Sequence, residues 1–555
     1  MDLADPYLRT QLIAYIGNKR ALLPFIHGVL SGLSVQPGRS TFLDPFAGSG
    51  AVSRLARSAG FLVRANDWEP YAWLINSCHL RLRPDDLGPL FGGCGGLGTM
   101  LEALNTLPAL PEERRYISRH YAPRETASAD WRTERLFYTQ ENARLIDSIR
   151  ERIEELYPGA DRPEHPRFLE KSALVAPLLY EAATHTNTSG VFKACHKGFG
   201  GHGKDALTRI MGPVRLQPPV LSPARPAAEV TCQDAAEFLR GRPAEVCYLD
   251  PPYTVHQYGS NYFMLNSIAR WDKPPVSEEH APDGRLLHKA GIRADWTRTR
   301  SAFCYRHSAR EAMRAVLAAA DCSHLVVSYS NEGLIGLEEL CDMLSETGEL
   351  SVHSREYGKY PGGKQGLHRT ARNIELALVV HRRGSTGMSP RARADLGRVR
   401  VARLMTLSFD PAAVRRCFEV RGDAIRVGEG SGALLPMRHL WRFPPDCPPP
   451  SFTSGEAARH FEETLQGCAL PDIRAEIRML VSLVSCITEP AERAKLLAEA
   501  LRLLNKLAHR KYRLVYEDSL GLLRDALAPA DAPAALRRRL EAMDLRARRR
   551  LAASR

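Results

Sequence analysis

Thr41-Phe-Leu-Asp-Pro-Phe-Ala-Gly-Ser-Gly50 is an apolar run that stops on an acid and gives way to a proline and two closely spaced glycines. Thr41 to Asp44 reads as a short strand, and Ala51 to Ser58 has the small-and-apolar pattern of a helix. Phe61-Leu-Val-Arg-Ala-Asn66 is the next apolar run, ending at Asp67. The three pieces form a βαβ unit with a glycine turn at the C-terminal end of the first strand. Further strands are expected at Glu229 to Cys232, Glu245 to Leu249, His324 to Ser328 and Asn373 to Val380. Alternating with helical segments, they predict an α/β protein with a parallel, doubly wound sheet.

Between a helix near Tyr71 to Leu80 and the strand at Glu229 lie roughly 150 residues, far more than the loops that join such elements. An inserted domain over 81–227 is therefore expected, dividing a core domain of 1–80 and 228–383. Within the insert, Thr139 to Glu154 places Leu145, Ile149 and Ile153 on one helical stripe. Thr184 to Lys204 is instead polar, glycine-rich and mixed with aromatic and cationic residues, as in a loop that contacts a ligand. Arg382 to Gly387 reads as a linker into a C-terminal domain, 384–555. Residues 400–450 read as irregular, and apolar residues recur at helical spacing from Gly455 onward.

The chain's 555 residues can bury several cores. No apolar stretch is long enough to span a bilayer, and the start has no signal-peptide order, so a cytoplasmic location without membrane contact is expected. Twelve cysteines are scattered singly, with no Cys-x-x-Cys pair. No metal site is expected, because His185, His196 and His202 fit no zinc spacing. The formal charge of +13 points to a polyanionic partner, but residues 501–555 alone hold 14 Lys and Arg against 6 Asp and Glu. Such basic helices serve equally as a solvated face or a seat for a partner protein.

The chemistry lies at the strand ends. Gly48 and Gly50 let a ligand approach the backbone, and Asp44 can accept hydrogen bonds from a cationic or hydroxyl-bearing group. Alone, such a turn serves helix packing as well. Asp67, about 20 residues on, is where a nucleoside ribose is held. With Ser53 in place of a third glycine, a nucleoside with a charged amino-acid arm fits better than a dinucleotide, and S-adenosylmethionine is that molecule. Val246-Cys-Tyr-Leu-Asp-Pro-Pro-Tyr253 then delivers a stiff acid to the same edge. An exocyclic amine there could donate to the Asp250 carboxylate and to the Pro251 carbonyl while Pro252 stiffens the turn and Tyr253 offers a face to an extruded base.

These motifs resemble the alpha-group, Dam-type adenine-N6 DNA methyltransferases over about residues 7–383, in the subgroup with an aromatic continuation of the Asp-Pro-Pro-Tyr motif. The resemblance implies a Rossmann-like class I methyltransferase fold with an inserted target-recognition domain and, outside the likeness, an α-helical C-terminal domain. It implies that Lys19 faces the cofactor's carboxylate end with Tyr15 also at the cofactor, that Asp44, Pro45, Phe46, Gly48 and Gly50 form the cofactor loop, and that Asp67 and Asp234 hold ribose and adenine. Asn187 and Ser189 of the insert loop and Tyr258 and Tyr262 after the catalytic motif are expected at double-stranded DNA, with Lys193 and Lys197 on phosphates. A cognate restriction or phage-defence protein is expected at the C-terminal domain. Cytosine-N4 methylation and a catalytically silent DNA-binding scaffold stay open as alternatives.

Overall fold

A computed structural model describes the whole chain except residues 15, 201–203, 225–227, 331–332, 359–371, 429–431, 529–531 and 553–555. The chain divides into two compact units, Met1–Arg355 with Glu375–Met388, and Glu356–Ile374 with Ser389–Arg555. Among the described residues no helix is long and apolar enough to cross a membrane.

Eight described strands make one sheet: β1 Thr41–Asp44, β2 Leu62–Asn66, β3 Glu229–Thr231, β4 Ala244–Leu249, β5 Cys322–Ser330, β6 Glu349–Gly358, β7 Arg372–His381 and β8 Gly387–Met388. Their order is β3-β2-β1-β4-β5-β7-β6-β8. β1 runs parallel to β2 and β4, and β4 to β5, whereas β7 runs antiparallel to β5 from His324 opposite His381 to Ser330 opposite Glu375. All nine residues of β5 are buried, as expected of a sheet covered on both faces. The strand order reverses between β1 and β4, so a crevice opens where their C-terminal ends diverge. That crevice receives the loops after Asp44 and Leu249.

The expected strands are present, with β6 and the two-residue β8 in addition, and antiparallel β7 makes the sheet mixed where a parallel one was expected. β6 is hard to see in sequence because buried Leu350 and Val352 alternate with polar residues of intermediate or greater exposure. The insert's long helix is Gln140–Leu156, started by the Thr139 hydroxyl, which accepts from the Asn142 N–H. Its Ile146, Ile149 and Ile153 share one core with Tyr71 and Ile75, with Leu174 and Leu178, and with Phe263 and Ile268. The buried Arg150 guanidinium also donates to the carbonyls of Ile268 (2.7 Å) and Ala269 (3.1 Å). The insert thus packs into the first unit as part of its core. Residues 272–293 return to it: Tyr121 donates to the Gly291 carbonyl, Arg135 to those of Ser277 and His288, and the Leu286 N–H to that of Arg132.

In the second unit, the helices Ile473–Cys486, Pro490–Lys506, Arg513–Leu527 and Ala534–Ala552 enclose Ile477, Leu480, Leu497, Leu501, Leu504 and Leu523. The stretch 400–450, expected to be irregular, holds the end of a helix Pro390–Leu404, a helix Pro411–Cys417 and the small antiparallel strands Val420–Arg421, Ala424–Arg426 and Leu434–Pro436. Five arginines dilute the apolar periodicity of Pro390–Leu404. Its local signature is instead the Ser389 cap, which accepts from the Ala392 N–H, followed by proline at the first helical position.

Candidate active site

A cavity of about 300 Å³ occupies the crevice. Pro45 and Phe46 after β1, Asp67, Trp68 and Glu69 after β2, Asp234 after β3, and Asp250 to Tyr253 after β4 line it together. Lys19, Asp44 and Ser49 border a smaller recess that also meets Phe46 and Asp250.

The glycine loop is built by hydrogen bonds across strand ends. The Gly48 N–H donates to Asp67 (2.7 Å), and the Ala47 N–H donates to the Asn66 carbonyl (2.9 Å). Gly50 has φ +79°, and a Cβ there would overlap the Asn76 side chain, so glycine is required. Asp234 caps the helix Ala235–Leu239 by accepting from the N–H groups of Ala236 and Glu237, at 2.9 and 3.2 Å.

Asp44, Asp67, Glu69, Asp234 and Asp250 crowd this small volume. Burial raises Asp44 to about 7, against the pull of the Ser53 hydroxyl, and Asp67 to about 6, against the backbone amides of Glu69, Gly48 and Trp68. Burial likewise raises Glu69 and Asp250 to about 7, opposed by the Asn266 amide and by Lys19 respectively. One oxygen of Asp44 accepts from Ser53 at 2.6 Å, while the other is buried with no hydrogen-bond partner among the described residues. An orphaned carboxylate oxygen beside a recess, amid further acids, suits a cationic ligand. S-adenosylmethionine carries an ammonium and a sulfonium, so the donor set fits it. Burial alone would lower Lys19, but Asp250, Tyr253 and Glu375 outweigh it and hold the ammonium well above its usual range.

Several expected residues thus meet at one cavity: Pro45, Phe46, Asp67, Asp234, Asp250, Pro251, Pro252, Tyr253 and Tyr258. Tyr15 lies outside the described residues. Lys19, expected at the cofactor's carboxylate end, borders the recess, and its ammonium is engaged by two carboxylates, 3.1 Å from Asp250 and 2.5 Å from Glu375. Ser189, Lys193 and Lys197 are exposed on the insert loop.

Two of the residues expected at DNA are placed inside the protein. Asn187 is fully buried and its amide donates to the Leu136 carbonyl at 2.9 Å, bracing the loop from within. Tyr262 is 1% exposed, and its hydroxyl accepts from the Ile16 N–H at 2.8 Å while Tyr258 donates to the Ile16 carbonyl at 2.8 Å. The two tyrosines clamp the N-terminal turn onto the segment after the catalytic motif. Residues in polar, aromatic loops read as surface, but buried polar side chains are used to satisfy backbone groups that no sheet or helix reaches.

Four further residues join the site without having been expected there. Glu69 lines the cavity and accepts from Asn266 at 2.5 Å. Gln257 clasps Ser301, its amide donating to the carbonyl at 3.0 Å and accepting the N–H at 2.9 Å. This holds residues 299–303 as a cavity wall, with Phe303 edge-on to Phe46 at 5.4 Å. Glu375 is the fourth, and its single acid in the apolar run Ile374 to Val380 was the available signal.

The family model described as D12 class N6 adenine-specific DNA methyltransferase matches residues 15–283. Type II methyltransferase M.NlaIII of Neisseria lactamica is 28% identical over 354 residues, 63% of this chain and 93% of that protein. Type II methyltransferase M.CviAII of Paramecium bursaria Chlorella virus 1 is 27% identical over 353 residues, 63% of this chain and 92% of that protein. Modification methylase LlaI of Lactococcus lactis subsp. lactis is 27% identical over 430 residues, 76% of this chain but only 63% of that protein.

Proposed function

Since the chain belongs, through residues 15–283, to the D12 class of N6 adenine-specific DNA methyltransferases, we propose that its crevice methylates an adenine extruded from duplex DNA. S-adenosylmethionine is the methyl donor and, when bound, supplies a methyl group already activated by its sulfonium. The observation that supports the assignment of residues is the convergence of Pro45 and Phe46, at the start of the loop after β1, and Asp250 to Tyr253 after β4 on one cavity. In this reading Asp44, Asp67 and Asp234 bind the cofactor, with Phe46 beside it. Asp250 and the Pro251 carbonyl accept the two hydrogens of the adenine amine, and Tyr253 stacks on the base. Bringing amine and methyl into line then supplies much of the rate.

The insert at 81–227, with residues 272–293 laid against it, is read as the target-recognition surface. Lys197 and Lys289, one from each segment, both place their ammonium 4.5 Å from the centre of the Trp131 ring. Both lysines are exposed, as phosphate contacts require. We assign the chain to a restriction-modification setting in the cytoplasm, with 389–555 as the place for a partner protein.

Tritium from labelled S-adenosylmethionine is expected in duplex DNA, recovered as N6-methyladenine by mass spectrometry of the digest. Recovery as N4-methylcytosine would refute the adenine assignment. Replacing Lys197 and Lys289 by alanine is expected to weaken duplex binding and to reduce the slope of log affinity against log salt by about one per lysine. Cofactor affinity should stay unchanged. An unaltered salt slope removes these lysines from the DNA surface.

A further inference from the structure

We propose that Glu375 is a positioning residue for methyl transfer: it holds the Lys19 ammonium against one oxygen of the Asp250 carboxylate and so leaves the other oxygen as acceptor for the adenine amine. The inference rests on the reading above of Asp250 as the amine's acceptor.

The geometry is a buried chain of charges. Lys19 and Glu375 are 4% and 1% exposed, and the ammonium lies between the two acids. Glu375 is itself fixed, its Oε1 also accepting from the Ser328 hydroxyl at 3.0 Å. It reaches this place because β7 is antiparallel to β5, which sets Glu375 opposite Ser330 at the strand end beside the crevice. A buried ion pair adds little to stability over an apolar pair of similar volume. Two buried acids sharing one base carry, once both are ionised, a net negative charge beside the cavity, which is of use where a ligand completes the balance. Lys19 also lies 5.2 Å from the centre of the Tyr253 ring, so the same ammonium locates the stacking residue.

The arrangement has a consequence in pH. The groups that act on Asp250 are Lys19, which stabilises its anion, and Glu375, which disfavours it, while Asp44 from β1 and Tyr248 on β4 share its field. Accepting from the amine requires the ionised form, so kcat should fall as pH drops through the Asp250 pKa. Removing the charge of Glu375 makes Asp250 more acidic, which moves the acid limb of the profile to lower pH. Removing Lys19 moves it to higher pH.

The test is kcat against pH for the full chain, with labelled S-adenosylmethionine and duplex DNA, in wild type, Glu375→Gln, Glu375→Leu and Lys19→Met. Glu375→Gln keeps an acceptor for Lys19 and is expected to lose little at the plateau while its acid limb moves down by about one pH unit. Glu375→Leu is expected to lose about tenfold in kcat, with KM for DNA and Kd for cofactor within about twofold of wild type. Lys19→Met should shift the limb upward. The proposal is overturned if the Glu375→Gln and wild-type profiles superimpose, or if cofactor affinity falls in step with kcat. Because Glu375→Gln preserves the hydrogen bonds, the test survives if Glu375→Leu does not fold. Asp250→Ala separates the two readings: wild-type transfer in that variant removes the acceptor assignment itself, whereas loss there with no effect at Glu375 removes only the positioning role.

Discussion

Asp250→Ala is expected to reduce methyl transfer by about 10³-fold while leaving cofactor affinity and thermal stability close to wild type. The size follows from position. Asp250 directly follows β4 at the point where the sheet order reverses, lines the cavity, and is held at one oxygen by Lys19. Alanine removes the acceptor that draws electron density onto the adenine amine, and the Pro251 carbonyl alone cannot orient both hydrogens. The fold is spared because Lys19 keeps Glu375 at 2.5 Å, so no buried charge is left without a partner. Single-turnover transfer of labelled methyl, calorimetric cofactor binding and a melting curve read the three quantities separately. Transfer at the wild-type rate would exclude Asp250 from the chemistry. A collapse of stability with activity would make it a structural acid instead.

Much of this site was legible because its parts are local. Thr41 to Gly50 and Val246 to Tyr253 are strands whose ends carry residues with unusual backbone demands, and an apolar run closed by glycine or proline announces both the strand and its edge. An insert was expected by exclusion, since no short loop joins Leu80 to Glu229, and the structure packs that stretch into the core of the first unit. What was not legible depends on chain segments meeting from afar. Glu375 stands 125 residues after Asp250, and only the antiparallel placement of β7 beside β5 brings it to Lys19. Residues 272–293 lie on the insert through carbonyls accepting from Tyr121 and Arg135, bonds that no sequence period encodes. Asn187 and Tyr262 turn inward because unpaired backbone groups of Leu136 and Ile16 claim their side chains. The helix Pro390–Leu404 was obscured by its arginines, though its cap was in plain view.

Gly50→Ala is expected to weaken cofactor binding by roughly 100-fold, through a contact that lies outside the cavity itself. At φ +79° an alanine carries about 1 kcal/mol of backbone strain, and its Cβ would overlap the carboxamide oxygen of buried Asn76. Asn76 donates to the carbonyls of Gly48 (3.0 Å) and Ala72 (2.9 Å), so pushing it aside frees the Gly48 carbonyl. The Gly48 N–H is what holds Asp67 at 2.7 Å, and the loop that Asp44 and Phe46 share would lose its shape from both sides. Strain alone can be separated from this effect. Gly60 also has positive φ, +95°, but a Cβ there meets nothing closer than 3.9 Å, and it precedes β2 at the end away from Asp67. Gly60→Ala should therefore lower the melting temperature without changing cofactor affinity, whereas Gly50→Ala should change both. Equal cofactor affinity in the two variants would mean that the glycine turn serves helix packing only and that the cofactor is held by the acids of the crevice without it.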